Sequence, residues 1–231
     1  EVQHLNRFED VLNTLLKNPQ VDVYVTGSNA RFLSKDVITT FRGRGDEVRI
    51  HPLCFAEFLS AQSPVPFVEQ HLNEYMQFGG LPQLTSMSNE QQKKQYLQQL
   101  FTNTYILDIK ERYDIRNDDD LEELINVIAS SIGGLTNPTK IANTFSSTKQ
   151  SNISKDTIKN YLDHMQDAFL IEKAIRYDIK GRKYIDTPTK YYFEDLGLRN
   201  ARLNFRQIEP THLMENLIYN ELRIRGYSID V

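Results

Sequence analysis

Residues 21–53, VDVYVTGSNARFLSKDVITTFRGRGDEVRIHPL, constrain the fold more than any other stretch. Val21, Val23 and Val25 alternate with Asp22 and Tyr24, the period of a strand. The strand closes on Thr26-Gly27-Ser28-Asn29. Short polar side chains at a strand's carboxyl end are where open α/β sheets place ligands. A helix is predicted over 30–41. Gly43 and Gly45 stop it, and a second strand is predicted over 46–51. The order strand, polar tip, helix, glycine-arginine turn, strand is that of an α/β domain.

The rest of the chain reads as helical. Apolar residues at Leu5, Phe8, Val11, Leu12, Leu15 and Leu16 predict an amphipathic helix over 4–16. Asn18-Pro19 ends it, and Ser63-Pro64-Val65-Pro66 closes the α/β part. Helices follow over 67–78, stopped by Gly79-Gly80-Leu81-Pro82, and over 89–113. An acidic run at Asp118, Asp119 and Asp120 leads into a helix over 121–132, where carboxylates complement the helix dipole. Pro138 opens another helix, and Ser154-Lys155-Asp156 caps a third. Strands over 170–177 and 190–193 then flank a basic tip. Three helices and a hairpin form a winged helix-turn-helix pattern.

Charge supports two readings of that pattern. Between residues 136 and 193, ten Lys and Arg face six Asp and Glu. Lys155 and Lys159 on the third helix, with Lys180, Arg182 and Lys183 at the tip, could grip DNA phosphates. Asp156, Asp163 and Asp167 on the same helix oppose this, and no arginine is there to read guanine. A protein-interaction module fits equally well.

Composition narrows the classes. With 231 residues, one large or two small domains fit. A net charge of −4 gives no global sign of nucleic-acid binding. Cys54 is the sole cysteine, so no disulfide framework exists and a reducing, cytoplasmic setting is the expectation, with Cys54 a buried structural thiol. No apolar run nears the ~18 residues of a membrane span. His4, His51, His71, His164 and His212 lack metal-ligand spacing, so no metal site is expected in the chain, and no nucleophile-elbow pattern occurs.

Several motifs together resemble AAA+ ATPases, in particular a prokaryotic group whose core is followed by a helical lid, a winged helix and a C-terminal nuclease-like domain. TGSNARFLS resembles the sensor-1 strand and following helix. FRGRGDEVRIHPLCFAEFL resembles the arginine-finger turn and next strand. FGGLP at 78–82 resembles the lid motif, and MENLIYNELRIRGYSIDV resembles the opening helix and strand of the terminal domain. The resemblance implies the second half of an α/β AAA+ core over 1–60, a helical lid over 61–117, a winged helix over 118–205 and the start of the terminal domain over 206–231.

By the same resemblance, Glu1 stands as the Walker-B glutamate. Asn29 and Ser28 stand as sensor-1 residues that position the attacking water, although either also suits a helix N-cap. Arg44, with Arg42 beside it, stands as the finger that stabilises charge on a neighbouring subunit's phosphoryl group, which implies a homo-oligomer. Arg112 is a candidate lid arginine or a solvated helix end. No G-x-x-x-x-G-K-[ST] occurs in the chain, nor the strand that ends in the magnesium-binding aspartate. The expectation is therefore an internal fragment. ATP and Mg2+ belong to the intact protein, and the fragment by itself does not hydrolyse ATP. Two other functions stay open. One is a winged-helix DNA-binding regulator; the other is a nuclease using Glu215 and Glu221.

Overall fold

A computed structural model describes residues 7–26, 46, 48–62, 68–115, 118–149, 153–176, 188–206 and 209–231. These are mostly helical, with one two-stranded sheet. The helix α1 (Phe8–Leu15) is amphipathic as expected, but it buries only Phe8 and Leu12, which pack on Val23 and Val25. Val11 remains 54% exposed.

Neither strand predicted in the α/β part is present as a strand. Residues 21–26, and the described residues of 46–51, are extended or irregular without a ladder. Alternation marks a surface fit for a sheet, but a strand also needs a hydrogen-bonded neighbour. None is present here among the described residues. The helix predicted over 30–41 lies outside those residues.

From Phe58 to Leu217 one large apolar cluster packs the helices and the sheet together. The short α2 (Phe55–Ser60) leads to α3 (Val68–Phe78), which buries Tyr75, Met76 and Phe78. A 3-10 turn (Pro82–Ser86) follows. The predicted helix over 89–113 is divided in three. Its first part, α4 (Glu90–Leu100), is capped by Asn89, which accepts from the Gln91 and Gln92 amides. A π-helical turn (Phe101–Ile106) comes next, and α5 (Leu107–Arg112) completes it.

Three further helices, α6 (Asp118–Ser130), α7 (Pro138–Lys149) and α8 (Lys155–Asp167), precede the sheet. Leu121, Leu124, Ile125 and Ile128 of α6 are buried, the spacing of one helix face. In α8 the Ser154 hydroxyl accepts from the Thr157 amide, and Ile158, Tyr161, Leu162 and Met165 face inward. Strands β1 (Ile171–Ala174) and β2 (Lys190–Phe193) pair antiparallel, Ile171 opposite Phe193. Thr136 adds an isolated bridge to Thr189.

The chain closes with α9 (Leu196–Arg202) and α10 (Pro210–Ile224). The strand that the resemblance placed after α10 is absent. The Val231 amide donates to the Ile175 carbonyl beside β1 at 3.0 Å, and Ile229 and Val231 pack against Ala174, Tyr192 and Tyr219.

Candidate functional site

The sheet ends at Phe193, and the next two residues, Glu194 and Asp195, gather four distant segments. Asp195 is the N-cap of α9 and accepts from the Leu198 amide at 3.1 Å. Its other oxygen accepts from the Gly80 amide at 2.7 Å. Gly79 lies at φ +79°, and a Cβ there would overlap the Asp195 carboxylate. The Gly-Gly turn is therefore required twice over, by backbone conformation and by the carboxylate beside it. The Gly80 carbonyl in turn accepts from the Leu53 amide at 2.8 Å, which ties in the segment following residue 46.

Helix α9 is buried from Leu196 to Ala201. Gly197 approaches the Phe78 carbonyl so closely that no Cβ would fit. The Asn200 amide donates to the Met76 and Gln77 carbonyls, both at 2.9 Å. Arg199 donates through Nε to the Ala129 carbonyl at 2.8 Å. These side chains satisfy orphan carbonyls at the ends of α3 and α6, a task usually left to water or a C-terminal glycine.

Glu194, itself buried, completes a half-buried ion cluster. Arg49 Nη2 donates to Glu194 Oε1 and to Glu172 Oε1, both at 2.5 Å. Arg223 of α10 reaches the same two oxygens at 2.9 Å and 2.8 Å. His51 Nδ1 lies 3.6 Å from Glu194 Oε2. The Arg49 guanidinium also sits 4.7 Å from the Phe169 ring centroid. Two cations and two anions alternate, so charge balances within one contact shell.

Burial acts differently on these carboxyls. It pushes Glu194 up, but the bonds to His51 and Glu172 and the charges of Arg223 and Arg49 outweigh it, leaving Glu194 at about 2. Burial and the adjacent Glu194 raise Glu172. Asp195 is pushed up to about 6 by burial, against the pull of the Gly80, Leu198 and Gly197 amides.

That rise sets a pH law. A carboxyl raised by folding contributes stability below its unfolded value of 3.8 and loses it as pH passes about 6. The span corresponds to about 3 kcal/mol. Asp195→Asn should remove this slope. Urea midpoints at pH 4 to 7 should show wild type gaining on the variant as pH falls, and parallel profiles would refute the assignment.

A cavity of about 430 Å3 opens beside the cluster, lined in part by Arg49, His51, Pro82, Tyr105, Phe169 and Glu194. Tyr105 of the π-helical turn lines it, and burial raises the Tyr105 hydroxyl. Asp195 is committed to backbone donors, and Glu194 and Glu172 to guanidinium groups. The geometry is that of a joint between segments.

Most of the residues singled out in the sequence lie elsewhere. Glu1, Ser28, Asn29, Arg42, Arg44, Lys180, Arg182 and Lys183 are outside the described residues. Lys155 and Lys159 are exposed on α8. Arg112 ends α5 and pairs with Asp108 at 2.5 Å. Glu215 and Glu221, the nuclease candidates, are engaged structurally. Glu215 accepts from Lys190 and Tyr192, both at 2.6 Å, and Glu221 accepts from the Phe55 amide at 2.6 Å. Cys54 is half-buried, not buried as expected, because it sits at the N-cap of α2. Among the described residues no group of three or more His, Cys, Asp or Glu could hold a metal, and no helix is long and apolar enough to cross a membrane.

The joint itself was missed in the sequence. Its signal was present in Asp195-Leu196-Gly197-Leu198, a capping residue before an apolar run, and in single charges set among apolar neighbours.

Comparisons with known proteins divide the chain between residues 59 and 69. Residues 1–59 match the model of the AAA domain, and residues 69–209 match the model described as Domain of unknown function (DUF8612). An uncharacterized protein of Haemophilus influenzae is 36% identical over 234 residues, covering 100% of this chain and 58% of the relative. An uncharacterized protein of Methanocaldococcus jannaschii is 31% identical over 239 residues, covering 98% and 52%. The chain thus spans about half the length of these relatives. No solved structure matches it. With more than half of its residues under one family model, the chain belongs to the DUF8612 family, preceded by a segment similar to the AAA domain.

Proposed function

We propose that this chain is the sensor and arginine-finger side of an AAA+ ATPase, which couples ATP binding and hydrolysis to an action on DNA or on a protein partner. The observation that carries this is the match of residues 1–59 to the AAA domain, ending where Leu53 and Phe55 are fastened to the helical body. In this reading Asn29 and Ser28 orient the attacking water, Glu1 polarises it, and Arg44 or Arg42 reaches a neighbouring subunit's nucleotide. ATP and Mg2+ would meet a phosphate loop outside these 231 residues. Because those positions are outside the described residues, no residue of this chain is assigned to magnesium.

The segments over 61–117 and 118–205 act in this reading as lid and winged helix. Support for the second comes from the succession α6, α7, α8, β1, β2 with the Thr136–Thr189 bridge. The exposed Lys155 and Lys159 would contribute phosphate contacts.

One experiment tests the whole reading. Calorimetry with ATP and magnesium should show saturable binding by the full-length protein and none by this chain alone. Saturable micromolar binding by the chain alone, or no binding by the full-length protein, would overturn it. Turnover assays with and without duplex DNA then separate the two kinds of target. Stimulation by DNA points to action on DNA, and indifference to a protein partner.

A further inference from the structure

We propose that Glu172, Glu194 and Phe169 form an exchangeable pocket for an alkyl guanidinium group, which Arg49 fills from within the chain and which a guanidinium compound from outside can take over. The inference goes beyond the ATPase reading and does not rest on it.

Arg49 is seated as a ligand is, by its head group. Val48 on one side of it is 78% exposed and Ile50 on the other is 86% exposed. An extended segment held by apolar packing would turn these two inward. Among the described residues no backbone hydrogen bond holds 48–52, and the first comes at Leu53. The polar contacts of this stretch are made by the side chains of Arg49 and His51, both directed to Glu194.

The pocket belongs to the helical body. Glu172 of β1 and Glu194 after β2 accept from the Arg49 guanidinium, and Phe169 lies under its face. Phe169, just past α8, sits at φ +54°. Its amide donates to the Gln166 carbonyl, and the Leu170 amide donates to the Met165 carbonyl. That is a helix-ending motif in which glycine is the usual occupant. A bulky aromatic there strains the backbone, and closing the helix does not require it. It supplies the flat face on which a planar guanidinium stacks.

The pocket also stands without Arg49. Arg223 of α10 donates to the same two carboxylates and holds them together from the other side. With Arg49 withdrawn, two carboxylates face one guanidinium, and a second guanidinium restores the balance. The cavity of about 430 Å3 opens beside Arg49 and Phe169, so an incoming group has room to approach. Paired acceptors and a flat face suit a planar fork better than a compact ammonium. The ligand class is thus a guanidinium on a short alkyl stem, either free or carried by an arginine of a polypeptide.

Arg49→Ala in the full-length protein removes the atoms of N-ethylguanidinium, which serves as the probe. Ligand-observed NMR titration should show saturable binding to Arg49→Ala at about 1–10 mM. Wild type should bind at least about tenfold more weakly, because tethered Arg49 competes at a high effective concentration. Ethylammonium at matched ionic strength should bind Arg49→Ala more weakly than the guanidinium probe. In the Arg49→Ala background, Glu172→Gln should weaken the probe by about tenfold or more. Phe169→Gly should weaken it by about twofold to fivefold, although glycine suits that backbone better, so misfolding does not account for the loss. Arg49→Gln carries the same comparisons if Arg49→Ala does not fold. N-acetylarginine amide separates the two sources: binding as tight as the probe's supports an arginine of a polypeptide, and much weaker binding supports a small free compound. No saturable binding to either Arg49 variant, equal binding by ethylammonium, equal binding to wild type, or indifference to Glu172→Gln would each overturn the proposal.

Discussion

On the ATPase reading proposed above, Arg44→Ala in the full-length protein is expected to lower ATP turnover by about 10³-fold or more while leaving nucleotide affinity nearly intact. A finger acts on charge that develops during phosphoryl transfer, so its loss appears in kcat and hardly in ground-state binding. Lysine should rescue little, since a point charge on a flexible stem cannot reproduce a planar fork. The flanking Gly43 and Gly45 fit the role by letting the backbone carry the side chain to a neighbour. Mixing Arg44→Ala subunits with subunits that lack the phosphate loop should restore some activity if the finger serves the adjacent subunit. Steady-state turnover set beside calorimetric affinity checks the split, and wild-type turnover would refute the finger role of Arg44.

Glu194→Ala should destabilise this chain by about 3–5 kcal/mol. The carboxylate is 7% exposed and accepts from both Arg49 and Arg223. Removing it leaves two guanidinium groups facing Glu172 alone, one of them largely out of water. Glu194→Gln should cost less, since one oxygen can still accept. Acidity should act through the same group. Its folded value of about 2 is depressed from 4.5, so its contribution is complete above 4.5 and is lost as pH falls toward 2. Asp195, the next residue, follows the opposite law. Urea denaturation at neutral pH measures the loss, and an unchanged midpoint would show that the cluster contributes nothing net to folding.

Local signals were legible in the sequence and distant ones were not. Helix α8 could be read because a serine cap and apolar steps of three and four residues lie within a single turn's reach. The Gly79-Gly80 stop could be read as well, although its reason, the Asp195 carboxylate, could not. Alternation over 21–25 suggested a strand, but the ladder that would make one depends on residues elsewhere. The ion cluster was hidden for a similar cause. Arg49 lies 123 residues from Glu172 and 145 from Glu194, so no period or spacing links them. Charge in an apolar context is the one local trace such a cluster leaves, and it identifies a buried group without naming the partner.

The π-helical turn at Phe101–Ile106 has a consequence for how this helix can vary. Wider turns of this kind hold one residue more than the α-helical ladder around them. Deleting a single residue there would restore the ordinary ladder and keep Ile109, fully buried in the core, facing inward, because the wide turn is where the surplus residue is taken up. The change would be local, at Tyr105, which lines the cavity beside Arg49. The helix can therefore shorten by one residue at this turn, whereas a deletion in an ordinary α-helix turns everything beyond it by about 100°.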